Sequence, residues 1–147
     1  MIINVNEDNI LIAAEIHSIS WKKSHENICR KDFIEQHTTQ HQKMYLLNEI
    51  RLGKSVYMLI EDIPVGIVSV HDNLIENLYI LPGEQRKGYG TQLLKYAIQQ
   101  CKGTPTLWIL DNNYIAYSLY SKYGFQKTGV RHKLSDTLFE IEMKQVK

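Results

Sequence analysis

Gly88 and Gly90 stand one residue apart in the stretch Leu81-Pro82-Gly83-Glu84-Gln85-Arg86-Lys87-Gly88-Tyr89-Gly90-Thr91, where the hydrophobic period of the chain changes from two to about 3.6. A helix that begins here offers N–H groups with no intrahelical partner, together with the positive end of its dipole. With Arg86 and Lys87 beside them, these donors suit a pyrophosphate, and side chains in place of the glycines would hold the phosphates off the amides. A Gly-x-Gly turn before a helix is common and most bind nothing, so the turn alone does not decide. No Gly-x-x-x-x-Gly-Lys-Ser/Thr is present and no Gly-x-Gly-x-x-Gly follows the first strand, so neither nucleotide fingerprint applies.

The elements around this turn are legible from pattern. Residues 2–5 read as a strand, and residues 6–8 offer capping side chains before Ile10, Ala13, Ala14, Ile16 and His17, an apolar set at helical spacing. Residues 32–52 suggest further helix in one or two pieces, weakly patterned around Phe33, His37, Met44, Leu47 and Ile50. Residues 56–60, 65–70 and 74–81 are β-rich runs divided by short turns, which implies an antiparallel meander. A helix over about residues 87–102 is lined by Leu93, Leu94, Ala97, Ile98 and Cys101, and Gly103 and Pro105 end it. Residues 106–110 form a strand, Asn113 caps a helix carrying Ala116, Leu119, Tyr120 and Tyr123, and Gly124 stops it. Strands near 125–134 and 137–143 complete an α/β (α+β) mixed sheet with helices on both faces. The C-terminal end of a strand that leads into a helix is where such a sheet most often binds a ligand.

Composition narrows the partners. The 147 residues fit one domain spanning 1–147, and no repeat or Pro/Gly/Ser linker divides them. Seventeen Lys and Arg against sixteen Asp and Glu leave a net charge of +1, which does not suggest a nucleic-acid partner. The start lacks the apolar core of a signal peptide and no apolar run is long enough for a membrane span, so the expected location is cytoplasmic. Cys29 and Cys101 form neither a CxxC pair nor a disulfide framework and read as small buried hydrophobes. His25, His37, His41 and His132 are scattered and read as surface residues, and no metal-spaced cluster is present, so no metal is expected.

A second block, Leu107-Trp108-Ile109-Leu110-Asp111-Asn112-Asn113-Tyr114-Ile115-Ala116-Tyr117-Ser118-Leu119-Tyr120-Ser121-Lys122-Tyr123-Gly124-Phe125, raises the value of the first. Gln85-x-x-Gly88-x-Gly90 resembles the Q/R-x-x-G-x-G/A signature of the GCN5-related N-acetyltransferases (GNAT), and Asn113-x-x-Ala116-x-x-x-Tyr120-x-x-x-Gly124-Phe125 resembles their second block. The element order matches over residues 2–143, although only residues 74–125 carry specific motifs. The resemblance implies an N-acetyltransferase fold and acetyl-CoA as cosubstrate. It implies that the amides of Gln85, Arg86, Lys87, Gly88, Tyr89, Gly90 and Thr91 cradle the CoA pyrophosphate. Leu78, Tyr79 and Ile80 would pair with the pantetheine amides as a partial strand, splayed from the strand over 107–110. Asn113 would hold the pantetheine arm, cap its helix, or do both.

The implied reaction needs a neutral amine, yet an alkyl ammonium with a pKa near 10 is neutral in only about one molecule in a thousand at pH 7. A base or a water relay is therefore expected. Glu76 is the candidate, because the two-residue period puts it on one strand face with Leu78 and Ile80. A solvated surface charge is the competing reading, and His71 and Asp111 are the fallbacks. Tyr120 is the candidate acid for the leaving sulfur, against a plain core aromatic on the stripe with Ala116 and Tyr123. A backbone N–H near Ile80 would polarise the thioester carbonyl. Neither cysteine lies in the matched blocks, so an acetyl-cysteine step is not expected. Trp21 resembles a tryptophan at the first helix of small-molecule members, where it walls the acceptor, or else it belongs to the core. Enzymes of this family that act on ribosomal proteins tend to read Leu-Glu-Val-Arg where this chain has Leu107-Trp108-Ile109-Leu110, which counts against that acceptor. A small-molecule primary amine is the expected acceptor. A protein lysine or N-terminus, and CoA binding without turnover, stay open, and homodimers are common in the family.

Overall fold

The computed structural model describes residues 1–146. Strand β1 (Ile2–Asn4) leads into α1 (Ile10–His25), α2 (Lys31–Glu35) and α3 (Thr39–Arg51). The meander β2 (Ser55–Ile60), β3 (Pro64–His71) and β4 (Leu74–Ile80) follows, then a short 3-10 turn at Pro82–Glu84 and α4 (Tyr89–Gln100). β5 (Thr106–Leu110), α5 (Tyr114–Lys122), β6 (Phe125–Lys133) and β7 (Phe139–Gln145) complete the chain.

The seven strands form one sheet in the order β1-β2-β3-β4-β5-β7-β6. All neighbours are antiparallel except β4 and β5, whose parallel pairing reflects the crossover through α4. Central strands β2 and β3 are buried along nearly their whole length rather than on alternate residues, because helices cover both faces. On one face α4 and α5 place Leu93, Leu94, Ala97 and Tyr120 against Val68, Val70, Ile75, Leu107, Phe125 and Met143. On the other, α1 and α3 place Ala13, Ala14 and Leu46 against Val56, Met58 and Ile67.

Several boundaries differ from the sequence expectation for local reasons. Helix α4 starts at Tyr89 rather than near Lys87, because Gly88 has φ +84°, and it stops at Gln100 because Cys101 turns extended. The side chains of residues 6–8 do not cap α1; Asn9 precedes the helix, and its Oδ1 accepts from the Asn6 N–H at 2.8 Å. Residues 32–52 divide into α2 and α3, with Thr38 Oγ1 capping α3 through the His41 N–H at 3.1 Å. Neither cysteine is wholly buried, and the Cys101 thiol donates to the Ala97 carbonyl at 3.3 Å.

Candidate active site

Strand β4 pairs with β5 only at Leu74↔Thr106 and Ile75↔Leu107. Beyond that the two part, because β4 bulges: Ser69 of β3 faces Glu76, but Ile67 faces Tyr79, so one extra residue enters β4. Asn77 absorbs it at φ +54°, a left-handed conformation that asparagine tolerates. Its Nδ2 donates to the Tyr45 hydroxyl at 3.2 Å. The splay expected between residues 78–80 and 107–110 is therefore present, and the β5-facing backbone groups of Leu78, Tyr79 and Ile80 have no strand beside them.

The glycine turn closes this seam at one end. Gly88 caps α4 without a side-chain hydrogen bond, and the first intrahelical bond is Gln92 N–H to the Gly88 carbonyl at 3.1 Å. The amides of Tyr89, Gly90 and Thr91 precede that bond and lie at the helix's positive end. A Cβ on Gly83 or Gly88 would meet no protein atom within 4 Å, whereas one on Gly90 would rest against Ile80 Cγ1 at 3.8 Å. Arg86 is held at φ +65°, a strained conformation for its type. Lys87 is engaged by Glu84 Oε2 at 2.8 Å, and Gln85 reaches back towards the Ile80 carbonyl at 3.4 Å. An open cradle of amides beside basic side chains fits a pyrophosphate, and the unpaired β4 edge fits an amide-bearing arm.

Tyr120 lies on the α4/α5 side of the seam, 9% exposed, with its ring edge-on to Phe125 at 5.9 Å. Burial pushes its phenol up to about 12, so at neutral pH it is a proton donor. Asn113 caps α5, accepting from the Ala116 N–H at 3.1 Å. Tyr79 belongs to the opposite face, and its phenol is raised further, by burial first and then by the Tyr45 and Tyr120 phenols. Tyr79 and Tyr120 thus pack on opposite faces of the sheet.

Glu76 does not share a face with Leu78 and Ile80. The bulge at Asn77 breaks the two-residue alternation, so Leu78 and Ile80 pack towards α4 and α5 while the Glu76 carboxylate turns to α3. There Lys54 Nζ bridges Glu76 Oε1 at 2.9 Å and Glu49 Oε1 at 2.7 Å. Burial opposes the charge on Glu49 and on Lys54, but their mutual bonds outweigh it, holding the Glu49 carboxyl below and the Lys54 ammonium above their ordinary ranges. The fallback His71 ends β3 next to Asp72, and Asp111 is exposed in the turn after β5.

Trp21 is half-buried with both faces of its indole covered, by His37 at 3.6 Å and His25 at 4.0 Å. Phe33 meets it edge-on at 5.8 Å. His25 and His37 are thus partners of Trp21 rather than free surface residues, and the stack ties α1 to the segment between α2 and α3. An open depression of about 400 Å³ nearby is lined by Cys29, Arg30, Asp32, Phe33 and Gln36 and shares no residue with the seam.

Sequence reasoning missed three features. His17 falls by spacing in an apolar stripe, yet it is a 3% exposed imidazole stacked on Tyr79 at 5.0 Å and edge-on to Tyr45 at 5.5 Å. Its Nδ1 is fully enclosed with no hydrogen-bond partner among the described residues, a placement that costs about 1–3 kcal/mol. The Glu49–Lys54–Glu76 cluster joins three elements and has no local signature. Gly66 did carry a signal, a glycine inside an apolar strand: a Cβ there would lie 2.4 Å from Ile80 Cδ1 and 2.9 Å from the Tyr79 carbonyl. Among the described residues no group of three or more His, Cys, Asp or Glu is placed to hold a metal ion, and no helix is long and apolar enough to cross a membrane.

Comparison with known proteins agrees with this geometry. The family model described as acetyltransferase (GNAT) domain matches residues 53–127, and the chain belongs to that family of N-acetyltransferases. The match runs from the turn before β2 into β6 and includes the seam, the glycine turn and α5. Among solved structures, the PaiA N-acetyltransferase of Thermoplasma acidophilum, in complex with coenzyme A, is 23% identical, with 98% of each chain covered and a TM-score of 0.74. A GCN5-related N-acetyltransferase of Rhodopseudomonas palustris is 18% identical over 100% of this chain and 95% of its own, with a TM-score of 0.76. The putative acetyltransferase YncA of Salmonella typhimurium, with its cofactor acetyl-CoA, is 19% identical over 98% and 91%, with a TM-score of 0.72. At these identities the likeness is one of fold. A search of curated proteins found no match in sequence.

Proposed function

We propose that the protein, acting as one catalytic domain over residues 1–147, transfers an acetyl group from acetyl-CoA to the primary amine of a small molecule. The observation that carries this reading is the seam. An open amide cradle at Gly88 to Thr91 leads along the unpaired edge of Leu78, Tyr79 and Ile80 to the buried hydroxyl of Tyr120. Bound there, acetyl-CoA supplies an activated acyl group whose leaving atom is a thiol sulfur. The amides of residues 85–91, with Arg86, bind the pyrophosphate, and the bulged edge of β4 aligns the arm and offers a backbone N–H near Ile80 to the carbonyl oxygen. Asn113 Oδ1 is committed to the Ala116 N–H, which leaves its Nδ2 to donate to the arm.

Tyr120 keeps its proton at neutral pH and donates to the sulfur. Because its pKa of about 12 lies well above that of a thiol, near 8.5, it acts chiefly as a hydrogen-bond donor to the developing negative charge rather than by complete transfer. Glu76, held by Lys54 on the α3 face, takes the amine proton through water. The small-amine reading rests on Trp108 and Leu110 standing where ribosomal-protein enzymes tend to carry Glu and Arg. A location in the cytoplasm accords with this metabolism.

Isothermal titration with acetyl-CoA is the test, run beside the Gly88→Asp/Gly90→Asp double variant. Aspartate is among the side chains best tolerated at positive φ, and no protein atom blocks position 88, so the variant is expected to fold while its carboxylates repel the phosphates. Binding by the wild type that the variant loses supports the reading. A folded wild type that does not bind acetyl-CoA overturns it. If binding holds, Tyr120→Phe is expected to lower kcat about a hundredfold with unchanged acetyl-CoA affinity. An indifferent Tyr120→Phe would favour a CoA-binding module without turnover.

A further inference from the structure

The glycine turn and Tyr120 make up the donor side of the transfer site, and neither holds the acceptor. Trp21 cannot stack on one, since both faces of its indole are taken by imidazoles. On the α1/α3 side of the seam, however, His17 lies over Tyr79 at 5.0 Å with an interplanar angle of 29°, and its other flank meets Tyr45 at 64°. Tyr45 is anchored through Asn77, the residue that makes the bulge, so the imidazole is fixed to the segment of β4 that leaves β5. Neither ring nitrogen has a hydrogen-bond partner among the described residues; Nδ1 is enclosed, which leaves Nε2 as the one a ligand can reach.

We propose that His17 is the acceptor-binding residue, Nε2 of its neutral imidazole taking a hydrogen bond from the incoming primary amine on the side of β4 opposite Tyr120. The inference rests on the acetyltransferase reading and adds the acceptor half to it. Burial, with His37, His41 and His25 adding to it, holds the imidazole near pKa 4, so it is uncharged at neutral pH and does not repel an ammonium. For the same reason it is a weak base: His17 orients the amine, and deprotonation falls to another group. A hydrophobic side chain would fill the site more cheaply if packing were its only role.

The variants His17→Phe, which keeps the stack on Tyr79 without the nitrogens, and His17→Gln, which keeps a polar end without the ring, separate these roles. The probe is whichever amine turns over fastest in a panel of alkyl monoamines, diamines, amino acids and aminoglycosides. Expected for His17→Phe are a melting temperature within a few degrees of wild type, unchanged acetyl-CoA affinity by titration, and an acceptor KM raised tenfold or more with kcat little changed. His17→Gln should recover part of that KM. In the wild type, the imidazole nitrogen resonances of His17 should move as that amine is titrated, a readout that stands even if a variant fails to fold. Acceptor KM within twofold of wild type in a folded His17→Phe, or resonances unmoved by saturating amine, leaves His17 a core histidine and overturns the proposal alone. Absence of acetyl-CoA binding by the wild type overturns both readings together.

Discussion

Glu76 shows how far one residue can be read from its neighbours in sequence. A two-residue period assigned it to the face of Leu78 and Ile80, and the extra residue at Asn77 sends it to the other side. The bulge is stabilised by Tyr45, about thirty positions away, so no local pattern could reveal it. Asn113 and Gly124, by contrast, were legible, since a cap and a stop at positive φ depend on the backbone next to them. The triad supplies a discriminating pair of variants. If Glu76 relays the amine proton, Glu76→Gln lowers kcat/KM about a hundredfold near neutral pH, whereas Glu49→Gln, which loses a contact to the same Lys54, costs stability with little effect on kcat. Initial rates and thermal melts of the two proteins check this. Equal losses of rate in both would reduce Glu76 to a structural partner.

At the scale of elements, the strands and helix α4 followed from period and punctuation, with errors of up to two residues at ends where a glycine or a turn decides. Trp21 marks where this failed: its stack with His25 and His37 assembles from α1 and the segment after α2, each too weakly patterned to announce it. Helix α4 yields the sharpest prediction. Because a Cβ at position 90 makes only ordinary contacts with Ile80 and Leu119, Gly90→Ala is expected to keep or raise the melting temperature, alanine being favoured in a helix by up to about 1 kcal/mol. The same methyl group lies at the mouth of the cradle, so acetyl-CoA affinity should fall. Calorimetry on that one variant separates ligand space from folding, and unchanged affinity would move the pyrophosphate away from this turn.

For the molecule as a whole, buried titratable groups make stability depend on pH with a sign that follows from their direction. His17 has a folded pKa of about 4 against 6.5 for an ordinary imidazole, so between those values the unfolded chain binds the extra proton. Stability should be flat above about pH 6.5 and fall by about 3 kcal/mol as pH drops to 4. Glu49, held low, adds a loss as pH falls below the ordinary carboxylate range, and Lys54, held high, loses its contribution only above pH 10.5. Urea unfolding at pH 7 and pH 4.5 measures this, and His17→Phe should flatten the slope between them. An unchanged slope in that variant would place the titrating group elsewhere. The sheet carries a different consequence. With two rungs joining β4 to β5, the sheet is in mechanical terms two plates, β1 to β4 and β5 to β7, hinged at Leu74–Thr106 and Ile75–Leu107. A load drawing the plates apart meets few backbone bonds and is borne mainly by side-chain packing, so this line is where the molecule yields first.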